Sequence, residues 1–337
     1  MRDKATAITA TILLAAASAF GALTGAAASD RHDDHRQGDR HHGPPHGHHG
    51  RSFDPVYNVC RGTDPKCYND WGVQQRKANR VLIYSRTAGP RHANLGTPMG
   101  PGLNPPLNAD NVAQSALIQL LQAEGIQVDW TEDVTRMTSL GAYRAVIFLS
   151  SNRDTLWNSA ATTSNDAART ALRQFIRAGN GFVAIHNAFG AEYNWPWYEG
   201  LLGNANFYDH GPNRLGVVEI IADDSSTTGA GLPKGARFQF RDEWYNLMPF
   251  PTNVKFLAKV DTSTLSPLTG SGHPGHQRFH PVSWCQYYDG GKVWVTTLGH
   301  NAGSFTGSGT GAEGAAQFQR HLIEGIKSVM GLTEFCR

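Results

Sequence analysis

Two apolar segments of this sequence each run directly into a histidine. Residues 181–185 (GFVAI) precede His186, and residues 292–299 (KVWVTTLG) precede His300. Short runs of β-branched and aromatic residues bounded by glycine are typical of buried strands. Because ligands of open α/β sheets bind just outside the carboxyl ends of the strands, both histidines are expected to face a crevice. The acidic pair at 242–243 lies between them in sequence, so an active site is the leading hypothesis.

The side chains of this predicted site suit two kinds of chemistry. Imidazole titrates near neutral pH, so the pair could serve in acid–base catalysis or bind Zn²⁺ or another divalent metal. Asp242 and Glu243 add carboxylates, and His210 adds an imidazole, which together would make an open site that activates water. Both options stay open, because the donors form no spacing motif. We predict His186, His300 and Glu243 as catalytic residues and His186, His210, Glu243 and His300 as metal ligands; no nucleotide cofactor is expected.

Aromatic residues are concentrated near these groups. They are Tyr193, Trp195, Trp197, Tyr198, Trp244 and Tyr245. Flat rings pack on the C–H faces of sugars, whereas polar side chains bind hydroxyl groups; the competing interpretation is that the rings form core. Of Trp195 and Trp197, one is expected to face inward and the other outward. The predicted substrate contacts are Arg86, His92, Trp195, Trp197, Tyr198, Asp242 and Trp244.

The elements that position these residues alternate along the first half of the chain. Strands are predicted at 80–85, 126–130, 143–150 and 181–186, with helices at 111–124 and 166–178. This alternation is typical of an α/β protein with a doubly wound, mainly parallel sheet and helices on both faces. Later strands are predicted at 215–222, 238–240, 254–260, 281–287 and 292–298, before a helix at 315–330. They indicate an antiparallel extension toward the C-terminus.

Six ordered motifs resemble the ThuA-like (trehalose utilisation) domain. They are 81–92 (VLIYSRTAGPRH), 179–186 (GNGFVAIH), 193–198 (YNWPWY), 242–245 (DEWY), 280–284 (HPVSW) and 298–300 (LGH). The resemblance covers roughly residues 80–331. It implies a flavodoxin-like fold similar to that of class I glutamine amidotransferases.

The resemblance also bears on the histidines. In those amidotransferases a nucleophilic cysteine occupies a sharp strand-to-helix turn, and a histidine ends a later strand beside it. The matching positions here are His186 and His300, with no cysteine near either, so cysteine-based amide hydrolysis is not expected. The family implies catabolism of trehalose-like disaccharides, including 3-keto glycosides, whose ketone acidifies the adjacent C–H and permits elimination.

The N-terminal residues indicate export. Residues 1–28 combine Arg2 and Lys4, an apolar stretch at 8–22 and small residues at 26–28, which is typical of a secretory signal peptide. A membrane anchor is the alternative, but the stretch is short for a span. We predict a secreted protein that does not associate with membranes after signal removal.

Three further segments are predicted after the signal. Residues 29–55 are His-rich and expected to be disordered, either as a metal-binding tract or as a solubilising linker. Residues 56–79 form a lead-in in which Cys60 and Cys67 pair locally. Residues 80–335 form the ThuA-like domain. A disulfide between Cys285 and Cys336 would tie the last strand pair to the C-terminus.

The overall prediction is a secreted hydrolase or lyase that acts on carbohydrate by histidine–carboxylate or metal-assisted chemistry. The net charge of +2 and the lack of a basic stripe argue against nucleic acid as a partner. The expected partner is a small-molecule or oligosaccharide substrate; the oligomeric state stays open. Two alternatives remain, which are a non-catalytic carbohydrate-binding protein and an exported metal-binding protein that acts through its His-rich tract.

Overall fold

The computed structural model describes residues 53–54, 59–60, 77–222, 230–265 and 272–336. The predicted signal peptide, residues 29–52 and 55 of the His-rich segment, and Cys67 of the predicted Cys60–Cys67 pair lie outside the described residues. A short antiparallel pair, β1 (Phe53–Asp54) and β2 (Val59–Cys60), precedes the main body of the fold.

The main body consists of eleven further strands and five α-helices among the described residues. In chain order they are β3 (Arg80–Tyr84), α1 (Val112–Ala123), β4 (Gln127–Thr131), β5 (Ala145–Leu149), α2 (Ala167–Arg177), β6 (Gly181–Ile185), α3 (Pro196–Leu201), β7 (Phe207–His210), β8 (Arg214–Ile220), β9 (Arg237–Asp242), β10 (Tyr245–Leu247), β11 (Lys255–Asp261), β12 (His280–Tyr288), β13 (Gly291–Thr296), α4 (Ala302–Thr306) and α5 (Ala315–Val329). Short 3-10 helices cover Ala93–Leu95, Val134–Thr138, His186–Gly190 and Thr262–Thr264.

A nine-stranded mixed sheet organises these elements, in the order β4-β3-β5-β6-β13-β12-β11-β8-β9. The first five strands run parallel to one another, and the remaining pairings are antiparallel. Strands β7 and β10 form a separate two-stranded antiparallel ribbon. The predicted mixed α/β sheet with an antiparallel extension is therefore confirmed.

The parallel half is buried on both faces, as its near-continuous apolar sequence predicts. On β3, Val81 and Ile83 belong to one core cluster, together with apolar residues of α1 and α5. Leu82 and Tyr84 point to the other face and join a second cluster with residues of α2 and α3. Alternation along each strand thus supplies both cores.

Glycines end the first two helices where the sequence predicts. Gly125 follows α1 with φ +72°, and Gly179 follows α2 with φ +87°. A residue in the left-handed region just after a helix satisfies its last carbonyl groups, and glycine adopts this conformation at little cost. Each helix then leads directly into the next parallel strand, which carries the chain back to the carboxyl edge of the sheet.

The antiparallel half begins at the hairpin between β12 and β13. Asp289 and Gly290 form its turn, both with positive φ, as the two-residue turns that suit a twisted hairpin require.

The predicted disulfide is present, with the Cys285 and Cys336 sulfur atoms 2.15 Å apart. Among the described residues, no helix is long and apolar enough to cross a bilayer.

The antiparallel half also curls. Strands β12, β11 and β8 separate β13 from β9 in the sheet order, which would place β9 roughly 19 Å from β13 if the sheet were flat. However, Asp242 at the end of β9 accepts a hydrogen bond from the backbone N–H of Gly299, just after β13, at 2.7 Å. Register shifts between β11 and β12 accompany this bend, as bulges usually do. The curl brings the last carboxylates of β9 to the carboxyl edge of the parallel strands.

Candidate functional site

His186 lies where β6 ends, with φ +52° and a fully buried side chain. This conformation is uncommon for a residue other than glycine, and such strain is concentrated at functional sites. The Nδ1 atom lies 2.8 Å from the carbonyl oxygen of Thr297, so Nδ1 is the donor. The lone pair of this imidazole is therefore on Nε2, which points into the site.

His300 lies in the loop that follows β13. Gly299 before it has φ +120°, and a Cβ atom there would lie 3.3 Å from both Ile185 and Phe305. Glycine is needed for this backbone conformation. The backbone N–H groups of Gly299 and His300 both point at the buried carboxylate of Asp242, which fixes the loop.

His92 comes from the long loop after β3. Nδ1 of this histidine lies 2.9 Å from the side-chain oxygen of Asn94. The amide nitrogen of Asn94 donates to the carbonyl oxygens of Gly299 and His300, at 2.8 and 3.2 Å. Asn94 therefore holds the two loops together. The shorter contact of its side-chain oxygen favours a proton on Nδ1 of His92 and a lone pair on Nε2, although the Asn94 backbone N–H also lies 3.4 Å from Nδ1.

The ligand atoms of His92, His186, Glu243 and His300 converge within 4.8 Å of one another. His92 Nε2 lies 3.0 Å from His300 Nδ1 and 3.1 Å from His186 Nε2, and Glu243 Oε2 lies 3.1 Å from His300 Nδ1. Bonds of about 2.0–2.2 Å to a tetrahedral zinc ion separate its ligand atoms by roughly 3–4 Å. We call these four residues the histidine–glutamate cluster; its spacing fits one ion.

The tautomers of the cluster also fit a cation. The oxygen atoms beside Nδ1 of His92 and His186 favour Nδ1 as the donor in both rings, which leaves two Nε2 lone pairs 3.1 Å apart, with the Tyr245 hydroxyl group also 2.9 Å from that of His186. A shared cation stabilises such an arrangement. Hydrogen bonds from the second nitrogen to a carbonyl or amide oxygen are also what orients metal-binding histidines.

Electrostatics keep two of the imidazoles neutral. Burial, together with the neighbouring imidazoles, lowers the pKa of His92 to about 4 and that of His186 well below its usual value. Burial opposes the charged form of His300 too, but the hydrogen bond and charge of Glu243, with the charge of Asp242, outweigh burial and raise the pKa of His300. Before any metal binds, positive charge therefore belongs on His300.

The two adjacent carboxylates behave differently. Burial raises the pKa of Asp242 to about 7, although its backbone hydrogen bonds oppose that shift. Burial also favours the neutral form of Glu243, but the hydrogen bond and charge of His300, with the charges of His210 and His92, prevail and lower its pKa. Glu243 is thus the ionised carboxylate of the cluster, and Asp242 is a positioning residue.

Tyr245 is a site residue that the predicted set omits. Its hydroxyl group lies 2.9 Å from His186 Nε2, and its ring stacks on that imidazole with centroids 4.6 Å apart. A signal for it exists in the sequence, because residues two apart on an extended chain share a face and Tyr245 follows Glu243 by two. The same alternation turns Trp244 to the opposite face.

The structure brings only some predicted residues together. His186, Glu243 and His300 join, as does His92, which was expected only to contact substrate. His210 lies beside the cluster, with Nε2 3.5 Å from Glu243 Oε2, on the β7–β10 ribbon, where it pairs with Tyr245.

Four predicted substrate contacts are engaged elsewhere. Trp244 is buried in the core and donates to the carbonyl oxygen of Arg214. Tyr198 is buried and donates to the carbonyl oxygen of Ala188. Trp197 donates to Asp289 in the turn before β13, at the opposite end of that strand from His300, and Trp195 packs on Trp197.

Arg86 is also turned away from the cluster. Its guanidinium group donates to backbone carbonyl groups of the loop after β5, those of Asp154, Thr155 and Trp157. The reason is geometric. Arg86 follows β3 directly, and the neighbouring loop offers several carbonyl oxygens within its reach. Its role in the structure is to hold that loop.

The fold and the cluster define a class of protein, a mixed α/β domain with a histidine-rich centre at the carboxyl edge of its parallel strands. Residues 80–327 match the family model described as ThuA, trehalose utilisation. The chain belongs to this family, and the predicted resemblance is confirmed.

Solved structures with a similar fold include two putative ThuA-like proteins. The one from Bacteroides uniformis is 21% identical, with a TM-score of 0.53 over 77% of this chain and 94% of its own. The one from Parabacteroides merdae is 16% identical, with a TM-score of 0.49 over 77% and 92%. No curated protein gives a significant sequence match.

Proposed function

We propose that the histidine–glutamate cluster is an open divalent-metal site of a carbohydrate-acting hydrolase or lyase. The observation that carries this proposal is the convergence of three imidazoles and one ionised carboxylate within 4.8 Å. In the role proposed here, a bound divalent ion supplies Lewis acidity and lowers the pKa of water. The protein's own contribution is to hold four donors in a fixed geometry.

The frame for this site is the proposed doubly wound, flavodoxin-like half of the sheet. Numbered along the chain, β3, β4, β5, β6 and β13 are strands 1 to 5 of the parallel half. Their order in the sheet is then 2-1-3-4-5, the order of flavodoxin-like sheets. In such sheets the ligand crevice lies outside the carboxyl ends of the strands. His92, His186 and His300 follow β3, β6 and β13 at that edge, which supports a site there.

Two residues beside the cluster are proposed to handle protons. Tyr245 places its hydroxyl group 2.9 Å from His186 Nε2, and burial raises the pKa of this phenol, so the hydroxyl group keeps its proton. His210 lies 3.5 Å from Glu243 and its side chain is about one-third exposed, so solvent and substrate can reach its imidazole. We assign Tyr245 as a hydrogen-bond donor to the substrate, because a bound ion would occupy the lone pair of His186 Nε2 that the hydroxyl group otherwise meets, and we assign His210 as the acid–base group.

The proposed substrates are trehalose-like disaccharides or their 3-keto derivatives. Family membership supports carbohydrate, because the family is described by trehalose utilisation. A 3-keto glycoside suits this site, because its acidified C–H needs only a positioned base and a polarised carbonyl group. We further propose that the protein acts outside the cell, in line with the signal peptide predicted at 1–28.

The test combines metal content with turnover on the full chain. His186→Asn and His300→Ala each remove one donor; asparagine tolerates the positive φ at position 186. His273→Ala is the matched control, because His273 lies outside the cluster. The His-rich tract is intact in all four proteins, so metal bound there cancels in the comparison.

The expected result is one equivalent of divalent metal fewer in both cluster variants than in the parent and the control. Turnover of trehalose or 3-keto-trehalose, followed by release of glucose, should fall with it. Equal metal content in all four folded proteins would refute the metal site. A full complement of metal with no turnover of either sugar would reject the proposed reaction and favour a carbohydrate-binding protein.

A further inference from the structure

A second concave site lies beside the cluster, on the same edge of the sheet. It has a volume of about 500 Å³ and is lined by Arg153, Asp154, Tyr193, Asn194, Phe207 and Tyr208. We call it the 153–208 cleft. Arg153 and Asp154 follow β5, and Tyr193 and Asn194 follow β6. The carboxyl ends of two adjacent parallel strands therefore supply most of its lining, at the edge where such sheets bind ligands.

The backbone of this cleft is held in an unusual conformation. Arg153 and Glu192 both adopt positive φ, +54° and +53°. The N–H group of Arg153 donates to the carbonyl oxygen of Gly190 at 2.8 Å, and the N–H group of Glu192 donates to that of Arg153 at 2.9 Å. Residues other than glycine keep this conformation only where the surroundings enforce it, which is common at ligand sites.

A buried carboxylate fixes the two loops to each other. The side chain of Glu192 accepts from the backbone N–H of Leu156 at 2.7 Å and pairs with Arg169 at 2.6 Å. The stem of the Arg153 side chain packs against Gly89, where a Cβ atom would collide with it. The guanidinium group of Arg153 is thus presented by a rigid support.

The lining is suited to a neutral polyol. The guanidinium group lies 5.3 Å from the ring centroid of Tyr193, and the structure records for it no hydrogen bond or ion pair with another described residue. Asp154 also lines the cleft, and its carboxylate pairs with Arg169 at 3.4 Å, so the lining carries both signs of charge, which disfavours a purely anionic ligand. Donors and acceptors are both present, and the half-exposed ring of Tyr208 offers an apolar face. This combination matches a sugar ring, with hydroxyl groups at its edge and C–H groups on its faces.

The cleft and the cluster are connected through strand β7. Phe207 and Tyr208 at its start line the cleft, and His210 at its end lies 3.5 Å from Glu243. Three residues of extended chain span about 10 Å. The ring of Phe207 also lies 4.6 Å from that of Tyr245. A short oligosaccharide along β7 can therefore reach both places.

We propose that the 153–208 cleft is a carbohydrate subsite, which holds a sugar unit next to the one that reaches the cluster; as a subsite of a reacting substrate, it rests on the proposed function. Arg153 and Asp154 bind hydroxyl groups of that unit, and Tyr208 packs on its face. This role places the determinants of glycan length and identity outside the cluster.

The experiment measures binding of trehalose, cellobiose and lactose to the full chain by calorimetry and saturation-transfer NMR. Arg153→Asn removes the guanidinium group and tolerates the positive φ, and Tyr208→Ala removes the exposed ring. Arg136→Asn and Phe250→Ala are matched controls at exposed positions outside the cleft. Glu243→Gln tests whether binding depends on the cluster.

At least one sugar should bind the parent, and both cleft variants should weaken that binding by about tenfold, while the two controls and Glu243→Gln keep most of it. Retention in Glu243→Gln supports the cleft even if the metal site fails its own test. Unchanged binding in both cleft variants would overturn the subsite, whatever the metal content. So would the absence of saturable binding of all three sugars to the parent.

Discussion

Asp242 accepts the backbone N–H of Gly299 at 2.7 Å, and so the end of β9 holds the loop that carries His300. The next residue, Glu243, turns its carboxylate to His300 at 3.1 Å. The two consecutive acidic residues therefore have different roles. Asp242 fixes the backbone of the loop, and Glu243 meets the imidazole that the loop presents.

Replacing Asp242 by asparagine should weaken metal binding without unfolding the protein. An amide group has one acceptor oxygen, so one N–H group of the 299–300 loop would face a donor and His300 would be less well held. Loss of such a supporting partner typically costs 10–100-fold in metal affinity. Competition titration with a chelator measures this loss. Asp289→Asn, in the turn at the other end of β13, should bind metal like the parent; equal affinity in Asp242→Asn would contradict the positioning role.

Tyr245→Phe should lower kcat and leave metal content unchanged. The ring stays stacked on His186, and only the hydroxyl group 2.9 Å from His186 Nε2 is lost. Removing one hydrogen-bond donor that stabilises a transition state typically costs about 10²–10³-fold in kcat, so we expect a fall in kcat of about 100-fold with little change in KM. Steady-state kinetics and elemental analysis of the same samples decide the question. Loss of metal in this variant would instead make Tyr245 part of the binding site.

Protonation of His321 should lower the free energy of unfolding as the pH falls. This histidine is buried on α5, its Nδ1 lies 2.6 Å from the carbonyl oxygen of Ala230, and its Nε2 lies 2.9 Å from the hydroxyl oxygen of Ser283. Burial lowers its pKa from 6.5 to about 4. A depressed histidine pKa means that protons bind the unfolded chain more readily, so stability is complete above pH 6.5 and is lost as the pH falls toward 4.

The size of this effect follows from linkage. A shift of about 2.5 units corresponds to about 3 kcal/mol of unfolding free energy between pH 6.5 and 4. Urea unfolding of the parent and of His321→Gln at pH 7, 5.5 and 4 measures it, because other buried histidines titrate in both proteins. The variant should be less stable at pH 7 but lose less on acidification. An identical pH dependence in both proteins would refute the assignment.

Cys336→Ser should destabilise the native state by removing the link to Cys285. The two cysteines are 51 residues apart, and closing a loop of this length is worth about 4 kcal/mol in the chain-entropy account of disulfides. Denaturant unfolding without reductant compares the variant with the parent. A free energy of unfolding within about 0.5 kcal/mol of the parent would show that the C-terminal segment does not rely on this bond.

The sequence predicts the nine strands of the main sheet and two of the site histidines for a physical reason, but it does not predict the two strands of the β7–β10 ribbon. Apolar runs such as 181–185 have one suitable environment, a sheet covered on both faces, and a polar residue directly after them lies at the carboxyl edge of that sheet, where ligand sites form. His186 and His300 are found by this argument. The turn of the β12–β13 hairpin is also predicted, because an Asp-Gly pair between two apolar runs, here Asp289 and Gly290, is typical of a two-residue hairpin turn.

The remaining site residues depend on tertiary contacts that local patterns do not contain. His92 enters the cluster because Asn94 ties its loop to residues 299–300, a pairing across about two hundred positions. Trp244 and Tyr198 are aromatic like any sugar-binding residue, but their polar atoms find backbone carbonyl groups inside the core. The strand pattern likewise does not predict the curl that brings β9 to β13, because the sequence of each strand in it is typical of any antiparallel strand.

That curl has a thermodynamic consequence. The cluster's donors come from both halves of the sheet, and His92 and His300 alone are 208 positions apart. The complete set of donors exists only when the antiparallel half bends back onto the parallel strands. An ion bound there would therefore bind only the native state and stabilise it against unfolding. By mass action, a free ion at one hundred times its Kd would stabilise the native state by about 2.7 kcal/mol. The melting temperature of this protein would then report the metal supply of its surroundings.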